Sequence, residues 1–170
     1  MSKRVRIFVM AVLAALAIGG CRNDDAPDTP RSAVPAELAG EWFTGTLSTI
    51  QYYDRDNGEW LDPSGEGFYF ILEPDGFYET GAVITSTVGG CTMRLLGTEV
   101  GTVVIEDDQV TVHRHWVKTH VTNSCGNDGE RTQGQETRAM WWSIEVDENG
   151  LEWLVFDHGD GTTERYRRWQ

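Results

Sequence analysis

The 170-residue chain is poor in basic residues, poor in cysteine and without a helical pattern. Its 14 Lys and Arg stand against 27 Asp and Glu. That deficit of positive charge excludes nucleic acid as a partner, because DNA and RNA binding rests on a basic footprint. It also excludes an electrostatic grip on an anionic bilayer. The longest apolar run, residues 7–18, falls short of the roughly 20 residues a spanning helix needs. No stretch carries the three-and-four spacing of apolar residues that marks a surface helix. The chain contains no Gly-x-Ser-x-Gly elbow and no His-Glu-x-x-His, so no motif selects a hydrolytic chemistry or a metal.

What is present begins at the N-terminus. Lys3, Arg4 and Arg6 precede the apolar run, and small residues follow it, which is the layout of an export signal. Ile18-Gly19-Gly20-Cys21 resembles a bacterial lipobox. The resemblance implies cleavage before Cys21 and a diacylglycerol on its thiol. Two acyl chains give the stable anchoring that one chain does not. An ordinary secretory cut after Ala17 is the alternative. Arg22 stands where enteric lipoproteins retained in the inner membrane tend to have Asp, which favours the outer membrane within the cell envelope. Loss of the signal leaves 11 basic against 27 acidic residues, a balance of −16. Lipidation of Cys21 also resolves an odd cysteine count, leaving Cys91 and Cys125 to pair as a disulfide in an oxidising compartment.

The mature chain divides into two parts. Residues 21–37 hold Pro27, Pro30 and Pro35 among Asp, Asn, Ser and Thr, and are expected to be a flexible tether reaching about 50 Å. Residues 38–170 are one domain's worth of chain. Within it, short apolar and aromatic stretches alternate with acidic turns such as Glu73-Pro74-Asp75-Gly76, Asp147-Glu148-Asn149-Gly150 and His158-Gly159-Asp160-Gly161. Nine strands are predicted over 41–53, 67–73, 76–86, 91–98, 102–106, 109–123, 136–146, 151–157 and 163–169. Strands joined in order by hairpins, with no helix to cover an edge, predict an all-β, antiparallel up-and-down barrel of eight or nine strands. A β-sandwich is the second choice.

"LAGEW" (Leu38 to Trp42), "YFILEPDGFYETG" (Tyr69 to Gly81), "GTVVIEDDQVTV" (Gly101 to Val112) and the terminal "ERYRRW" resemble segments of lipocalin-like barrels. The resemblance implies a meander barrel with an interior cavity for a small apolar ligand. It also implies a late arginine (Arg165, Arg167 or Arg168) stacked on Trp42.

Parity suggests where a cavity lies. Trp42 shares a strand face with the small residues Thr44, Thr46 and Ser48, whereas Met140, Trp142 and Ile144 are large and share a face. A wall of small residues opposite a wall of large ones leaves a pocket, so Trp42, Thr44, Thr46, Met140, Trp142 and Ile144 are the candidate ligand-binding residues.

Other clusters carry less. His113-Arg114-His115 puts two imidazoles on one strand face, but no third ligand is placed, so no metal site is expected. The loop from Asp54 to Glu59 lacks calcium-loop spacing and reads as an acidic loop. Among the seven Trp, Trp141 and Trp60 are the candidates for surface contact. The expectation is a tethered, non-enzymatic barrel that needs no cofactor and binds a small or lipidic ligand. The alternatives are a packed barrel that docks another envelope protein, and a hydrolase or isomerase with a dispersed acid–base pair.

Overall fold

The structure is a computed structural model that describes residues 27–169. The signal, the lipobox and Cys21 lie outside the described residues. Among the described residues nine strands follow one another: β1 (Gly40–Gly45), β2 (Gly67–Leu72), β3 (Phe77–Val88), β4 (Cys91–Glu106), β5 (Gln109–Asn123), β6 (Gly129–Gln133), β7 (Glu136–Val146), β8 (Glu152–Asp157) and β9 (Thr163–Arg168). All pairings are antiparallel, in the order β4-β3-β2-β1-β9-β8-β7-β5-β6, and a β4–β5 pairing closes the ring. The fold is the expected all-β up-and-down barrel, eight strands closed on themselves with β6 as an extra strand. First and last strands meet at Trp42↔Arg168. The β6 strand continues the line of β7, since Arg114↔Glu136 and Val117↔Gln133 keep one register along β5.

Alternation sorts the side chains into an interior and an exterior. Trp42, Phe70, Tyr78, Val112, Phe156 and Tyr166 belong to one buried cluster that fills one end of the barrel. The Trp42 ring is fully buried, its Nε1 donates to Leu38 O at 2.9 Å, and the Arg168 guanidinium lies 4.1 Å from its centre. The late arginine on the first tryptophan is therefore Arg168. Its Nη1 and Nη2 also donate to Ala39 O and Glu37 O, which closes this end.

A second cluster lies outside the barrel wall. Leu47, Tyr52, Tyr69, Ile71, Val83 and Leu96 pack under the long β1–β2 connection. The Tyr52 hydroxyl sits 2.6 Å from both Ala82 O and Gly97 O. A Cβ on Gly81 would come within 2.3 Å of the Tyr69 ring and 2.8 Å of the Tyr52 hydroxyl, so only glycine admits this layer.

Three expectations change. The strand predicted over 41–53 ends at Gly45, whose φ of +90° turns the chain out of the sheet. The strands predicted over 91–98 and 102–106 are one strand, β4. Its ladder with β5 shifts between Val100 and Gly101, where His115 is the extra residue of a bulge. Last, the expected flexible tether is docked from Thr29 onward. Ser32 N donates to Val103 O, Ile105 N donates to Ser32 Oγ, Val34 N donates to Pro74 O, and Val34 is buried in the interior cluster. The cause is an unpaired edge: β3 meets β4 only as far as Phe77↔Thr102, leaving Val103 and Ile105 backbone groups in need of partners.

Candidate functional site

The interior cavity occupies the other end of the barrel, with a volume of about 340 Å³. Small residues create it. Ala82 lies opposite Gly97, and Gly97 opposite Thr119, so three neighbouring strands withhold bulk at one level. Phe68, Phe70, Leu95, Val117 and Met140 supply apolar walls.

Polar groups line the rest, and their arrangement is specific. Glu99 is buried, and its carboxylate accepts from the Tyr78 hydroxyl at 2.7 Å and from Arg138 Nη2 at 2.5 Å. Arg114 Nη1 stands 3.6 Å from its second oxygen, and Arg114 Nη2 pairs with Glu136 at 2.5 Å. Burial works against the Arg138 cation, but the hydrogen bond and charge of Glu99 outweigh it and raise its pKa. Burial, followed by the Glu99 charge, pushes the Tyr78 hydroxyl far above its ordinary range, so it stays a donor. Tyr166 is raised by burial and then by Glu164, to which its hydroxyl donates at 2.7 Å. His158 Nε2 lies 3.3 Å from Glu164 Oε1 yet has no hydrogen-bond partner in proper geometry.

The six candidate residues fall differently from expectation. Trp42, Thr44, Met140, Trp142 and Ile144 share the inward parity, as Trp42↔Phe70, Thr44↔Phe68, Trp142↔Phe156 and Ile144↔Leu154 require. Only Met140 lines the cavity. Trp42 is in the filled end, with Trp142 and Ile144 packed against the same cluster. Thr44 is half-buried across from Phe68, outside the lining. Thr46 and Ser48 are exposed, because the chain has left the sheet at Gly45. Sequence reasoning placed the correct face but the wrong height. Among the lining residues it missed are Thr80, Ala82, Gly97, Glu99 and Arg138, and for the first four the signal available was small residues in both "ETGA" and "LLGTE".

No family model matches this chain, and no curated protein or solved structure matches it. What the site can do is read from its own side chains. Apolar walls with a few fixed polar groups are the ordinary makeup of a small-molecule pocket, and the volume lies at the low end of the usual 300–1,000 Å³ or so.

The remaining clusters have local explanations. Asp54 Oδ1 accepts from the backbone of Asp56 and Asn57, as an acidic turn does. His113 and His115 lie on the outer face to either side of the inward Arg114, each with its own partner. His115 Nε2 is 2.6 Å from Thr29 Oγ1, while His113 Nδ1 is 3.2 Å from Thr137 Oγ1. Trp60 is half-buried between Tyr53, Tyr52 and His120, whereas Trp141 is exposed. Cys91 and Cys125 form a disulfide with Cα atoms 5.4 Å apart.

Proposed function

We propose that this is a lipid-anchored protein of the bacterial envelope whose barrel is a non-enzymatic binder of a small ligand with an apolar body. The observation that carries the reading is the cavity of about 340 Å³, apolar on most of its wall and furnished with a few fixed polar groups. The polar groups are paired in a way that suits orientation rather than turnover. Glu99 is held by Tyr78 and two arginines, which leaves it no freedom to exchange a proton. The lipobox at Cys21 supports the anchor, and the export signal agrees with a disulfide between Cys91 and Cys125.

Gly97→Leu tests the binding. A Cβ at Gly97 meets nothing nearer than 3.7 Å and has no backbone conflict, so a leucine there extends into the cavity of a barrel that still folds. An apolar fluorescent probe such as 1-aminonaphthalene should bind the native protein and lose at least about tenfold in affinity in the variant, with an unchanged melting temperature. Equal binding to both proteins would defeat the cavity as the site and favour a packed barrel that docks a protein.

A further inference from the structure

The hollow end of the barrel is open. β2 pairs with β3 no further than Gly67↔Val83, but β3 runs on to Val88, β4 begins at Cys91 and β5 ends at Asn123. These ends, tied by the disulfide, project past the mouth as an arm. A small molecule therefore has a way in, and the charges on the cavity wall decide what it meets there.

Those charges cancel. Buried Glu99 faces Arg138 and Arg114, and Arg114 faces Glu136 in turn, so two cations stand against two anions. Glu164 and His158 complete the polar lining at the solvent side. The Glu164 side chain is 45% exposed and keeps its own hydration, and His158 already lies 3.3 Å from it. No buried charge on the wall lacks its opposite. A carboxylate or an ammonium brought inside would lose its water and find every counter-charge taken, which is the costly case.

Hydrogen-bonding capacity is less evenly shared. Tyr78 gives its hydroxyl proton to Glu99, Tyr166 to Glu164 and Thr80 to Tyr69 O. Arg138 is different. A guanidinium donates from each of its nitrogens. Arg138 Nη2 donates to Glu99 Oε1, but Nη1 and Nε have no acceptor among the described residues. The side chain is 31% exposed and lines the cavity. The wall therefore holds N–H donors without an acceptor and no charge without a partner.

From this layout, and resting on the ligand-binding reading above, we propose that the ligand class is an uncharged medium-chain carbonyl compound. Its carbonyl oxygen accepts from Arg138 Nη1 and Nε, and its chain fills the space beside Phe68, Leu95 and Val117. A carbonyl oxygen accepts through either lone pair and brings no proton that needs an acceptor of its own. The donor is a cation, so the hydrogen bond is stronger than one between neutral groups. The ligand stays neutral, so the balance between Glu99 and its arginines is kept when water leaves. A cavity of about 340 Å³ encloses a chain of about ten carbons with its oxygen.

The methionines make the test direct, because after the signal the chain contains only Met93, on the arm, and Met140, on the cavity wall beside Arg138. The exported chain carrying Cys21→Ser, with both methyl groups ¹³C-labelled, is titrated with 2-nonanone, nonanoate, nonylamine and 1-aminonaphthalene. 2-Nonanone should shift the Met140 signal, leave that of Met93 in place and bind at least about tenfold more tightly than either ion. Glu99→Gln combined with Arg138→Met removes the donors without leaving a lone buried carboxylate. This variant should bind 1-aminonaphthalene as the native protein does and lose at least about tenfold in affinity for 2-nonanone. The comparison of ketone with ions uses the native side chains and stands whether or not the variant folds. Ions that bind as tightly as the ketone, or a ketone affinity unchanged in the variant, would overturn the proposal and leave the cavity as a ligand site. No shift at Met140 with any of the four probes would overturn the cavity reading as well.

Discussion

Glu99 is the residue on which the interior depends. It lies among apolar walls, with its side chain 11% exposed, and its charge is opposed by Arg138 and Arg114. Removing one partner of such a group leaves the others as uncompensated buried charge. Glu99→Gln should cost about 3 kcal/mol, the low end for a buried pair, because Glu136 still holds Arg114. Urea denaturation should show a lower midpoint at an unchanged slope. His115 makes a second prediction at this scale. Burial, and then the charge of His113, lower its pKa below the ordinary histidine value of about 6.5. The unfolded chain therefore takes up a proton first as pH falls. The stability the neutral imidazole supports is complete above about pH 6.5 and declines below it until the folded form is protonated too. Melting temperature should fall more steeply between about pH 6.5 and 5 in the native protein than in His115→Gln. Parallel curves would show that His115 does not sense pH. Neither role was legible beforehand. The His113-Arg114-His115 spacing puts the two rings on one face, but that His115 is the extra residue of a bulge and meets Thr29 leaves no mark in residue type.

Among the elements, β5 and β7 match their predicted limits because each is bounded by explicit turn residues. The turn from Glu106 to Gln109 was legible without glycine, and Asp107 takes its left-handed position at φ 54°. What was not legible depends on long-range partners. The β6 strand is wholly exposed and polar, so its pairing comes from the β5 backbone rather than from any apolar alternation. Residues 29–35 look like a tether by composition, yet the unpaired edge at Val103 and Ile105 captures them. The arm raises a prediction of its own. The disulfide closes a loop of 34 residues' separation, which is worth about 3–4 kcal/mol in the chain-entropy model. Replacing Cys91 and Cys125 together by serine should lower stability by up to that amount. Hydrogen exchange should rise first at the ends of β3, β4 and β5, and last in the cluster around Trp42. Uniform loss of protection would mean that arm and barrel unfold as one unit.

The whole molecule joins a closed barrel with one filled end and one hollow end. Its class was legible because hairpin turns, alternation and the lack of helices all pointed the same way. The position of the hollow was not, because it depends on which strand positions come level after the ring closes, and the small residues Ala82, Gly97 and Thr119 come from three strands. The proposed anchor is tested at this scale. Cys21→Ser should abolish fatty-acid labelling and move the protein from the membrane to the soluble fraction; retained labelling would defeat the lipobox reading. The docked segment then sets how far the barrel travels. With Thr29 fixed to Thr102 and His115, an anchor at Cys21 as proposed would be joined to the barrel by eight residues, 21–28. The proposed anchor would then allow a reach of about 25 Å in place of about 50 Å. Halving the radius cuts the volume swept by the barrel about eightfold and raises its effective concentration toward anything embedded in the same leaflet by the same factor.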